Sequence, residues 1–131
     1  MTINEIETFR TFIKENKRER YLTLLSSDRG RVKVIASLSH TNDFDKKWIM
    51  KILPSQQSVE GILALLRSKG APLRCLVTSE WQQLDRKELD LETALAEVVG
   101  SQMGSLLTCI PKKLAYFENE DIRFILEHDE N

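Results

Sequence analysis

Ser37 to Trp48 reads SLSHTNDFDKKW and places His40, Asp43 and Asp45 in one short stretch. An imidazole and two carboxylates can ligate a divalent metal together, or a carboxylate can orient the imidazole as a general base. The same stretch follows what reads as the end of a β-strand, where open α/β sheets bind ligands. Thr, Asn and Asp also build turns and helix caps through side-chain-to-backbone hydrogen bonds, and Asp43 is placed to cap a following helix. One functional reading is therefore a small metal-assisted hydrolase centred on His40, Asp43 and Asp45.

A second set of residues points to binding. Between Lys14 and Lys33 there are seven basic residues against three acids, whereas Glu118 to Asn131 carries six acids and one arginine. Such asymmetry marks a surface for an anionic partner. Lys14, Lys17, Arg18, Arg20, Arg29 and Arg31 are the expected contacts, with Tyr21 beside them. Trp81, an aromatic in the polar stretch SEWQQLD, joins them. Glu15 and Glu19 interrupt the run, and the pI near 6.1 is low for a nucleic-acid domain. A protein partner therefore ranks ahead of a nucleic acid. The leading expectation is a small cytoplasmic binding or accessory protein that acts through this surface. It is expected to be a non-enzyme, with no cofactor and no membrane association.

Other chemistries lack their residues. None of the five glycines sits in a G-x-G-x-x-G or G-x-x-x-x-G-K-[ST] pattern, and GSQMG follows a helix instead of opening one. No G-x-S-x-G surrounds Ser79 or any other serine. Cys75 and Cys109 lie in the apolar runs LRCLV and LLTCI, read as reduced core thiols, and are too few for a structural zinc site. No apolar run approaches the ~20 residues that span a bilayer, and the acidic, amphipathic start lacks a signal peptide's features.

The elements that must position these residues follow from periodicity. Residues 1–131 read as one α/β domain, bordering on α+β: a mixed sheet of about five strands with helices on at least one face. Thr2 and Glu5 form a capping box, and Ile6, Phe9, Phe12 and Ile13 fall at helical spacing. Tyr21 to Leu25 resumes the apolar pattern as a second short helix or a kinked continuation of the first. RVKVIASLS alternates, with Val32, Val34, Ala36 and Leu38 on one side, and reads as the first strand. Residues 44–53 fit helix or strand, with helix slightly favoured. Ser55 is a fitting cap for a helix whose stripe is Val59, Ile62, Leu63 and Leu66 and whose stop is Gly70. LRCLVTS reads as a strand, EWQQLDRKEL as a turn or small ribbon, Leu91 to Val98 as a helix, and GSLLTCI as a strand. KLAYF and IRFILEH form an antiparallel hairpin around ENED. Strand–helix–strand links imply parallel crossovers among the first three strands.

Overall fold

The computed structural model describes residues 3–128. Three helices open the chain: α1 (Ile3–Phe12), α2 (Glu15–Leu25) and α3 (Asp28–Ser37). β1 (Ile49–Lys51), α4 (Val59–Ser68), β2 (Arg74–Ser79), β3 (Glu88–Asp90) and α5 (Leu91–Val98) come next. β4 (Ser105–Ile110), β5 (Leu114–Glu118) and β6 (Arg123–Glu127) complete it. The class is the expected one, helices around a single sheet, and the sheet has six strands instead of about five. Its order is β1-β6-β5-β4-β2-β3. Every pairing is antiparallel, so the expected parallel crossovers are replaced. β1 lies at one edge and β2 beside the other, so α4 carries the chain across the sheet without pairing the strands it links.

Alternation along each strand divides the side chains between two faces. Cys75, Val77, Leu107, Cys109, Leu114, Tyr116 and Ile125 pack with α4 and α5. Leu106, Ala115, Phe117, Phe124 and Leu126 pack with α1, α2, α3 and Phe44. The molecule is thus three layers, helix–sheet–helix, with a core on each side of the sheet.

The segment RVKVIASLS is helical, which corrects the expected strand. Its alternation puts Val32 inward, but Val32 is 68% exposed while Arg31, Val34 and Leu38 are buried. The Ser27 hydroxyl caps α3 by accepting from the Gly30 amide at 3.0 Å. Gly30 lets α3 approach α2 closely, because a Cβ there would run into the Leu24 carbonyl oxygen. What anchors α3 is Arg31. Its guanidinium donates to both carboxylate oxygens of Glu5, at 2.9 and 2.8 Å, and to both of Asp85, at 2.7 and 2.8 Å. Glu5 also accepts from the Thr78 hydroxyl at 2.7 Å, and Asp85 from the Ser79 amide at 3.0 Å. One ionic cluster therefore ties α1 and α3 to β2 and the β2–β3 turn. Glu5 serves here, while Thr2, its expected capping-box partner, lies outside the described residues.

Residues 44–53 are mostly extended. Asp45, not Asp43, caps a single 3-10 turn at Lys46–Trp48, accepting from the Lys47 amide at 3.1 Å, and β1 follows. α4 forms as expected with Ile62, Leu63 and Leu66 buried, but its cap is Ser58, since Ser55 falls in a separate 3-10 turn. Gly70 ends the connection at φ +94°, a conformation that favours glycine.

Candidate functional site

The residues of SLSHTNDFDKKW are divided among different tasks. The link from α1 to α2 pairs with residues 43–45: the Lys14 amide donates to the Asp43 carbonyl and the Asp45 amide to the Phe12 carbonyl, both at 2.8 Å. This fixes the Asp43 side chain beneath α2, where it accepts from the Tyr21 hydroxyl at 2.7 Å and lies 3.6 Å from the Lys14 ammonium. Burial, followed by the hydrogen bond to Asp43, pushes the Tyr21 hydroxyl up to about 12. Asp45 is occupied as the cap of the 3-10 turn. Neither aspartate joins His40 in a three-ligand group among the described residues, so the cluster suggested by local spacing is not assembled.

His40 instead meets the β5–β6 turn. Its Nδ1 lies 3.2 Å from Glu120 Oε1 and 3.8 Å from Asp121 Oδ2. The two segments are braced by Asn119, a buried residue at the end of β5. Its amide nitrogen donates to the Leu38 carbonyl at 3.0 Å and the Thr41 carbonyl at 3.2 Å. Its amide oxygen accepts from the backbone amides of Asp121 and Ile122, at 2.9 and 3.0 Å. One side chain thus spends its hydrogen-bonding capacity on holding the His40 turn against the acidic turn. ENED was visible in the sequence as a hairpin turn, but nothing local marked it as the neighbour of His40.

Beside this junction is a groove of about 800 Å³. Phe44, Ile49, Ile122 and Phe124 supply apolar lining, Lys46, Lys51 and Arg123 positive charge, and Glu120 and Asp121 negative charge. Phe44 meets Phe124 edge to face with centroids 5.9 Å apart, which fixes the apolar part.

The basic candidates also separate. Arg20 and Arg29 are exposed, and Lys17 is partly so. Arg18 turns inward and donates to the Ile13 carbonyl at 3.2 Å. Lys14 is drawn towards Asp43. Arg31 is 3% exposed, which removes it from the contact surface: its cluster with Glu5 and Asp85 holds it inside. Trp81 is half-buried and packs against the core beneath α4 and α5, so its polar sequence surroundings do not make it a projecting aromatic.

Two further polar groups are internal. Glu118 is fully buried and accepts from the amides of Gly100 and Gln102 and from the Tyr116 hydroxyl. It ties the loop after α5 to β5. Burial raises both thiols, Cys75 to about 12 and Cys109 further, which keeps them protonated at neutral pH. No helix among the described residues is long and apolar enough to cross a membrane. In comparisons with known proteins, no family model matches the chain, and no curated protein or solved structure is significantly similar to it.

Proposed function

We propose that this chain is a binding protein whose α2–α3 surface docks against an acidic surface of a protein partner. The observation that carries this reading is the segregation of charge on the two helices. At about 100° per residue, the mean direction of Glu15 and Glu19 on α2 lies about 150° from that of Lys17 and Arg20, although Arg20 stands only about 100° from Glu19. On α3, Arg29, Val32, Lys33 and Ala36 are all exposed and follow i, i+3, i+4, i+7 spacing, so they share one outward face. Among the described residues, Lys17, Arg20, Arg29 and Lys33 form no ion pair within 4.0 Å. Basic side chains around an exposed valine combine electrostatic steering with an apolar contact. The net charge of −1 keeps nucleic acid as the second partner class. Asp43 is engaged by Tyr21 and Lys14 and Asp45 by the Lys47 amide, which weighs against a hydrolase built on His40, Asp43 and Asp45.

The test pairs charge reversals on each helix, Lys17→Glu with Arg20→Glu and Arg29→Glu with Lys33→Glu. Binding to a polyglutamate peptide and to duplex DNA is measured at low and moderate salt. Wild type should bind the peptide, more weakly as salt rises, and each double variant should lose about tenfold or more in affinity. Stability should change by only about 0.5 kcal/mol per exposed site. Equal binding by wild type and both variants would refute the proposal. Salt-sensitive binding to DNA alone would move the reading to nucleic acid.

A further inference from the structure

We infer that His40, Glu120 and Asp121 form a site for one divalent transition-metal ion, with zinc the best match to the donors. The donor set is chemically mixed, one imidazole nitrogen and two carboxylate oxygens. Imidazole suits zinc and its neighbours, whereas magnesium and calcium prefer oxygen donors alone. The spacing fits an ion. Ligands about 2.1 Å from a metal stand about 3.4 Å apart at the corners of a tetrahedron and about 3.0 Å apart in an octahedron. His40 Nδ1 lies 3.2 Å from Glu120 Oε1 and 3.8 Å from Asp121 Oδ2, and the three donor atoms all lie within 4.8 Å of one another.

The backbone on both sides is already fixed. Asn119 holds the carbonyls of Leu38 and Thr41 on one segment and the amides of Asp121 and Ile122 on the other. The three donors are therefore brought together before an ion arrives, which lowers the ordering cost of binding. The side chains of His40, Glu120 and Asp121 are 71%, 49% and 65% exposed, so an ion reaches them directly from solvent. Three protein donors leave at least one coordination position for water or a second ligand. Glu120 and Asp121 also line the 800 Å³ groove, so the ion would stand at the groove's margin, near the positive charges of Lys46, Lys51 and Arg123. The site is independent of the α2–α3 surface, and either can fail without the other.

Zinc and cobalt(II) titrations of the full chain test the site, with calorimetry for zinc and visible absorption for the cobalt coordination sphere. Wild type should take up about one equivalent, and excess magnesium should not displace it. His40→Ala should weaken binding at least tenfold, since even outer-shell partners of a metal carry tenfold to hundredfold effects. Glu120→Gln with Asp121→Asn should do the same. All three positions are exposed, so the variants should keep their fold, as circular dichroism will show. His128→Ala, which removes the chain's other histidine, should bind as wild type does. Uptake unchanged by His40→Ala, uptake lost with His128→Ala, or no uptake by wild type would each overturn the proposal.

Discussion

Leu66 and Arg31 are both buried under helices on opposite faces of one sheet, and different physics holds each in place. Under α4 and α5, aliphatic side chains such as Ile62, Leu66, Leu95 and Val98 meet Val77, Leu107 and Leu114. That contact is non-directional and roughly proportional to the area removed from water. Under α1–α3, a phenylalanine-rich core is joined to the Glu5–Arg31–Asp85 cluster, in which two carboxylates share one guanidinium. A buried cluster of this kind adds little net stability over an apolar equivalent, but removing one member takes the countercharge from the others. One face is thus tolerant of sequence, while the other is specified by direction.

The largest expected effect breaks that second face. Arg31→Ala should cost about 3–5 kcal/mol in denaturant melts, because it takes the guanidinium and its four hydrogen bonds away from the Glu5 and Asp85 carboxylates. A loss below about 1 kcal/mol would mean that water or a neighbouring cation satisfies them, and the contrast between the faces would disappear.

Leu66→Ala, on the apolar face, should cost about 2–5 kcal/mol through lost burial and the cavity left behind. The cost should be the same at neutral and mildly acidic pH, since no charge is involved. A pH-dependent cost would tie this face to the ionic one.

The smallest effect sharpens the comparison by titration. Burial works to raise the Asp85 carboxyl, but the Arg31 and Ser79 hydrogen bonds and the Arg31 charge outweigh it and hold it below its ordinary value of 3.8. A lowered carboxyl stabilises the fold above that value and loses its contribution as pH falls below it. Asp85→Asn should therefore cost about 1–3 kcal/mol at neutral pH, the scale of hydrogen bonds to a charged group. The gap from wild type should close as melts are taken below pH 3.8. A constant gap would assign the loss to shape instead of charge.

The same contrast explains what could be read from the residues alone. α4, α5, β2, the β3 ribbon and the last three strands were legible because apolar spacing decides which way they face. α3 was not, because its inward anchor is an arginine and its exposed valine completes a false alternation. Strand direction was not legible either: a helix between two strands suggests a parallel crossover, but α4 leads from one edge of the sheet to the neighbourhood of the other. Of the candidate site, His40 could be picked out as a candidate ligand. Its neighbours could not, because Glu120 and Asp121 reach it through long-range pairing and the Asn119 brace. The inward turn of Arg31 was hidden for a related reason, since Glu5 and Asp85 lie far from it in the chain.

The strand order also has a consequence during synthesis. The buried strand side chains that cover the α1–α3 core, from Leu106 to Leu126, lie in β4, β5 and β6, and β1 adds only the partly buried Ile49. While a ribosome is still making the middle of the protein, Phe9, Phe12, Leu25 and Val34 have emerged with no sheet to rest on. Among the described residues β1 pairs only with β6, a strand more than seventy residues further along the chain. The N-terminal helices are thus made before most of the strands that cover their core, and the charge on α2 and α3 is expected to oppose aggregation of that uncovered layer.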